Sequence, residues 1–333
     1  MSVVDEMTGR DDMGGGDDDA TGISTVDGVH PALQVGYDMA DRVERVVLGQ
    51  QRAVRLAVAG LLAGEHLLLH DEPGVGKTTL ARALARVLGG TFGRIQGTVD
   101  LLPGDLTGVT LVDPRSGSWT FRPGPLLSNV VLVDELNRLS PRTQSALLEA
   151  MAEGQVTVDG ESHAVPTPFV VIATMNPHGS AGTFPFAAGQ LDRFGVSLSL
   201  GASPREIERR LLGGEGGMAH VDELAPVAGP QRVAAFVEHA NAIEVAPEII
   251  EYVLDLCEAV RRSQHLSTRA PLAVLGVARA WAALHRSSYV GPDDVKAVVP
   301  SVLGHRAATD SGELDQGVSI VRRAVDAVAA PRP

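Results

Sequence analysis

The sequence predicts an α/β domain built on a parallel sheet, followed by an all-α domain. Three observations carry that expectation. From about residue 66 to 177, short apolar runs alternate with segments of helical periodicity, the order expected of strands joined by crossover helices. The runs HLLLH, NVVLVDEL and PFVVIATMNP are apolar at nearly every position, as strands buried on both faces of a parallel sheet read. From 231 onward every periodic segment has helical spacing.

The length of 333 residues, 44% of them hydrophobic, accommodates one large domain and a small one. We read residues 1–30 as an acidic tail, 31–205 as the α/β core, 206–230 as a glycine-rich linker with a short helix in it, and 231–333 as the helical domain. The tail sets eight acids against Arg10, so it carries −7 of the net −13. With few large apolar residues it is expected to be disordered and solvated. The remaining charge is also negative and aromatics are only 4%, so the basic stripe and stacking platform of a nucleic-acid binder are missing and direct nucleic-acid binding is not expected. There is no basic-then-apolar leader and no apolar run near the roughly 20 residues a membrane span requires, so a cytoplasmic protein is expected. The one cysteine, Cys257, excludes an internal disulfide; it shares a helix face with Ile249, Val253, Leu256 and Val260 and should be a buried thiol.

The elements follow in order. Helical spacing from 38 to 63, with Val54, Val58, Leu61 and Leu62 on one face, is broken at Gly49. A strand at 66–70 leads through a loop at 71–78 into a helix with Leu80, Ala83, Leu84, Val87 and Leu88 on one face, stopped by Gly89-Gly90. A second strand is expected at 92–97. Hairpins are expected at 110–121, turning between Asp113 and Gly117, and at 155–165, turning at Asp159-Gly160. Between them lie a buried strand at 129–136 and a helix at 140–154, opened by Ser140 as N-cap and Pro141 as first helical residue. A strand at 168–177 follows, then helices at 231–243, 247–262, 270–285, 292–303 and 314–329.

Chemistry concentrates at the ends of the predicted strands. HDEPGVGKTTL (70–80) fits the phosphate-loop pattern G-x-x-x-x-G-K-[ST] except that Asp71 stands at the first glycine. Backbone N–H groups around Gly74 and Gly76 can wrap phosphates, Lys77 can reach the terminal ones, and the Thr78 hydroxyl can hold Mg²⁺. If the Asp71 carboxylate lies within about 6 Å of a phosphate it costs roughly 1–3 kcal/mol, so reduced but real ATP affinity is expected. Asp134 and Glu135 close the strand NVVLVDEL: the first would hold the metal and the second orient or deprotonate an attacking water, although two acids at a helix start are also favoured by its dipole. Asn176 ends the strand FVVIATMN. In an open parallel sheet it would meet the same crevice, while asparagine before proline is also ordinary turn chemistry. Arg193 in QLDRF and Arg269 in STRAP can stabilise charge on a transferred phosphoryl group, in cis or from a neighbouring subunit; a surface ion pair is the ordinary alternative.

Together these segments resemble the MoxR-type AAA+ ATPases. The resemblance covers about residues 35–330 and rests on DEPGVGKT, VVLGQ (46–50), RIQGTVDLLPGDLTG (94–108), FRPGPL (121–126), LVDELNRLSPRTQSALLEAM (132–151), ATMNP (173–177), GTFPF (182–186), QLDRF (190–194) and DDVKAVVPSVLGHR (293–306). It implies a parallel-sheet P-loop core with helices on both faces and an all-α lid, binding and hydrolysing ATP with Mg²⁺. Carried over by residue, it implies nucleotide contacts from Asp71, Glu72, Pro73, Gly74, Val75, Gly76, Lys77, Thr78 and Thr79, and from Gly49 in VVLGQ. Thr78 and Asp134 become the metal residues, Glu135 the second Walker B acid, Asn176 sensor one, Arg193 the arginine finger and Arg269 sensor two. It further implies a hexameric ring, and a chaperone-like remodeller or maturation factor for a partner that typically contains a von Willebrand factor A domain. The two hairpins would lie near the pore or upper face. A nucleotide-gated scaffold with little turnover is the alternative. The chain departs from the family pattern at Asp71, at Met175, where glutamine is usual, and at Gly189 in FAAGQ.

Overall fold

The computed structural model describes residues 31–72, 74–176, 182–184, 186–227, 229–309 and 314–331. The acidic tail read at 1–30 and the loop residue Pro73 lie outside the described residues. The chain enters through helices α1 (Pro31–Glu44) and α2 (Gln51–Leu62), parted at Gly49, whose φ of 73° is a turn conformation suited to glycine. Strand β1 (Leu67–His70) leads into α3 (Lys77–Leu88), which stops on Gly89 at φ 73°. Next come β2 (Phe92–Gln96), a short α4 (Pro103–Thr107), the hairpin of β3 (Gly108–Val112) and β4 (Trp119–Pro123), and β5 (Val130–Asp134). Helix α5 (Pro141–Glu153) starts where Ser140 Oγ accepts the Thr143 N–H. The second hairpin, β6 (Gln155–Val158) and β7 (Glu161–Ala164), turns at Asp159-Gly160 with positive φ at both, as a two-residue turn of primed type requires. Strand β8 (Val170–Met175), α6 (Ala188–Leu191) and β9 (Val196–Leu198) finish the α/β part. Helices α7 (Arg205–Leu212), α8 (Pro230–Asn241), α9 (Pro247–Arg261), α10 (Arg269–Leu284), α11 (Pro292–Leu303) and α12 (Leu314–Ala327) complete the chain.

Five strands form one parallel sheet in the order β2-β5-β8-β1-β9. After β1 the chain runs out to the β2 edge, returns through β5 and β8, and ends with β9 on the far side of β1. The loop after β1 therefore opens beside the end of β8, with His70 opposite Met175, while Asp134 stands opposite Gln96. Strands β1, β5 and β8 are buried at every residue.

The period of two divides their side chains between two apolar clusters. Leu67, Leu69, Val130, Leu132, Val170 and Ile172 face α2 and α3 within a cluster that continues into the helical domain through Phe236, Leu256 and Val277. Leu68, Val131, Val133, Val171 and Ala173 face Leu147, Phe186 and Phe194. Cys257 is fully buried, and burial pushes its thiol up to about 11, so it packs as a small apolar group. The two hairpins touch where Phe121 stacks on His163, ring centroids 3.9 Å apart. Among the described residues no helix is long and apolar enough to cross a membrane.

Candidate nucleotide site

The carboxyl ends of β1, β5 and β8 open onto a cleft of about 340 Å³ lined by Asp71, Gly74, Gly76, Lys77, Thr78, Thr79, Asp134, Glu135 and Asn176, together with Arg94, Gln96, Thr174 and Met175. This is the crevice where open parallel sheets bind ligands. Gly74 and Gly76 have φ of 92° and 102°, and a Cβ built on either meets nothing within 4 Å, so the loop bares its backbone to open space. Lys77 and Thr78 open α3, whose first N–H groups and dipole favour an anion. Lys77 Nζ donates to the carbonyls of Asp71 at 2.8 Å and Glu72 at 2.7 Å. Desolvation lowers the lysine pKa, opposed by Asp71, Asp134 and Glu135. Glu72 is exposed and Val75 packs against the core.

The Asp71 carboxylate, set against a triphosphate by the sequence, is turned onto the end of β9. It accepts the Ser199 hydroxyl at 2.7 Å and the N–H groups of Leu200 at 2.6 Å and Gly201 at 3.3 Å. Three donors thus counter its charge at a site where it is only 8% exposed.

Asp134 is held from the neighbouring strand. Arg94 Nε donates to its Oδ2 at 3.0 Å, and Arg94 Nη2 completes the ion pair at 2.9 Å. Glu135 sits in the left-handed region at φ 56°, with its N–H on Thr174 Oγ1 at 2.9 Å and its Oε2 paired with Arg138 Nη1 at 2.7 Å. A residue held in that conformation stores local strain, which the Thr174 bond helps to fix. Arg94, Gln96, Thr174 and Arg138 were not singled out from the sequence. The signal for the first two was present: Phe92, Arg94 and Gln96 alternate with the buried Gly93 and Ile95, so both polar side chains share one face of β2.

Gly49, Arg193 and Arg269 do not line this cleft. Gly49 lies under α7, where a Cβ would come within 2.7 Å of Ile207 Cγ1. Arg193 and Arg269 line a different cleft of about 360 Å³ with Glu65, Asp192, Leu272 and Arg306. Arg193 Nη1 donates to Leu148 O at 3.3 Å. Burial raises the Glu65 pKa, with Arg306 opposing and Asp192 reinforcing the shift.

A glycine-rich loop and a pair of strand-end acids thus meet in one cleft of a molecule that also carries a packed helical domain. The model of the ATPase family associated with various cellular activities matches residues 66–196, and that of the AAA lid domain matches residues 256–327. The chain is 38% identical to the uncharacterized protein YeaC of Bacillus subtilis (strain 168), covering 91% of this chain and 96% of that one. It is 34% identical to Chaperone MoxR1 of Mycobacterium tuberculosis, over 87% of this chain and 81% of the relative. The crystal structure of a candidate ATPase from Cytophaga hutchinsonii superposes with a TM-score of 0.79 at 30% identity, covering 90% of this chain and 96% of its own. The chain belongs to the MoxR family of AAA+ ATPases.

Proposed function

We propose that the chain binds ATP with Mg²⁺ in the cleft at the ends of β1, β5 and β8 and hydrolyses it to ADP and phosphate. One observation carries the reading: Lys77, Thr78, Asp134, Glu135 and Asn176 come from three separate stretches and line one cleft. The fit to a phosphate rests on the open backbone at Gly74 and Gly76 and on the start of α3. Thr78 and Asp134 are the residues that would hold the metal, which when bound neutralises charge on the phosphate oxygens. Lys77 exchanges its two loop carbonyls for phosphate oxygens. Glu135 orients the attacking water and accepts its proton, and Asn176 helps hold it in line. Arg193 and Arg269, lining a cleft of their own, serve the nucleotide of a neighbouring copy in a ring, hexameric by the family resemblance. Gly49, at the turn between α1 and α2 and outside the lining of this cleft, enters the reading only through the family resemblance.

The work of the ring is remodelling or maturation of a partner protein, in keeping with a relative named as a chaperone. A partner with a von Willebrand factor A domain remains as the sequence resemblance implies it, and a cytoplasmic setting as the lack of a long apolar run leads us to expect. One observation favours a scaffold that binds ATP and turns it over little: Arg94 holds Asp134 and Arg138 holds Glu135. Steady-state phosphate release by the full chain separates the two readings. Hydrolysis predicts that Glu135→Gln lowers release by about 100-fold or more. Equal rates for the two proteins, partner present, leave the scaffold. Calorimetry showing no uptake of ATP with Mg²⁺ at millimolar levels ends both.

A further inference from the structure

Arg193 and Arg269 reach one cleft from different domains. Arg193 follows α6 in the core, whereas Arg269 opens α10 in the helical domain. Two long side chains act together on one small anion only if their backbone origins keep a fixed separation. Asp192 ties those origins together. Its Oδ2 accepts the Ser267 hydroxyl at 2.8 Å, and Ser267 Oγ accepts the N–H of Arg269 at 3.2 Å. A path of two hydrogen bonds thus runs from the residue before Arg193 to the backbone nitrogen of Arg269. The other oxygen, Oδ1, accepts Arg306 Nε at 2.8 Å in a pair whose side chains are only 18% and 3% exposed. Arg306 also donates to the carbonyls of Gly195, at 3.1 Å, and Val302. A desolvated, fully engaged ion pair holds its geometry far better than an exposed one, so Asp192 is a rigid anchor for the serine.

We infer that Asp192 and Ser267 form a clamp that fixes Arg269 relative to Arg193, so that the two arginines are presented to a neighbouring copy's triphosphate as one unit. The inference rests on the reading of these arginines as acting in trans. Neither clamp residue touches nucleotide; both are positioning residues. The clamp also ties the lid turn to the core turn, so a movement of α10 carries Arg193 with it.

Ser267→Ala in the full chain is the test, because it cuts the path to Arg269 and leaves the Asp192–Arg306 pair intact. The expected result is a kcat lower by about 3- to 30-fold, with ATP affinity within about twofold and the oligomeric state unchanged. Ser267→Thr, which keeps the hydroxyl, restores turnover. Ser267→Ala combined with Arg269→Ala is no slower than Arg269→Ala alone, since the serine acts through that arginine. Turnover unchanged in Ser267→Ala, losses that multiply in the double variant, or alanine and threonine variants that are equally slow each overturn the clamp. If Arg193→Ala and Arg269→Ala both keep full turnover, the trans reading itself falls and takes the clamp with it. Slow arginine variants beside a fast Ser267→Ala remove the clamp alone.

Discussion

At Asp71, charge and geometry give different answers, and the difference lies in partners far along the chain. Sequence alone sets an anion beside the phosphate loop; Ser199, Leu200 and Gly201, the groups that receive it, are 128 to 130 positions away. No local pattern reveals such a bond. Lys77, Thr78, Asp134 and Glu135 were legible because a loop motif and a strand-end acid pair are local signals, whereas Arg94 and Arg138, which hold the two acids, act across a strand or within a turn. The bonds at Asp71 make a prediction. Asp71→Asn replaces an acceptor of three hydrogen bonds by an amide that must point its own N–H groups toward donors. We expect it to lower unfolding stability by about 1–3 kcal/mol in urea titrations. ATP affinity should change by less than about fivefold, because the lost charge is already countered at the end of β9. An affinity gain above about tenfold would mean that the carboxylate's field reaches the phosphates after all.

Among the elements, the long periodic ones were read within a few residues of their bounds, except α1, which begins at Pro31 rather than near 38. The short ones were not: β9 has three residues, α6 four and α4 five, too few for a period to show. Missing β9 hid the place where Asp71 is tied down. The β2–β5 edge sets the position of both Asp134 and Glu135. Gly97 N donates to Asp134 O at 2.7 Å, and a Cβ on Gly97 would collide with the Glu135 carbonyl oxygen while crowding that of Asp134 at 2.8 Å. These are backbone atoms, so the strand end itself has to move. Gly97→Ala is therefore expected to reduce turnover by about tenfold or more and stability by about 1–3 kcal/mol, read from phosphate release and from the urea midpoint. Turnover at the unsubstituted rate would show that the two acids tolerate a displaced strand end.

For the molecule as a whole, the order of domains was legible, but the continuity of the core was not. Helix α1, early in the chain, packs through Gly36 against Phe236 and Leu284 of α8 and α10, a close approach that sequence spacing gives no reason to expect. Three histidines are buried among the described residues. His66 keeps a fixed tautomer: Nδ1 accepts the Val171 N–H at 3.1 Å, leaving Nε2 to donate to Met151 O at 3.2 Å. Burial lowers its pKa to about 4, and burial also lowers those of His70 and, further, His305. In the unfolded chain these rings take up protons near pH 6.5, while His66 in the folded protein stays neutral until about 4. Between those values the unfolded state binds more protons, so stability is present above pH 6.5 and is lost as pH falls. His66 alone accounts for about 2 kcal/mol between pH 6.5 and 5, and the other two rings act in the same direction. Glu65 and Asp294 have raised carboxyl pKa values and act oppositely: the stability they contribute is present at low pH and is lost as pH rises through their folded values. Urea titrations at pH 7.5, 6 and 5 should therefore show a falling midpoint. His66→Gln should have a shallower dependence than the unsubstituted chain, and equal slopes would mean that this ring is charged inside the fold.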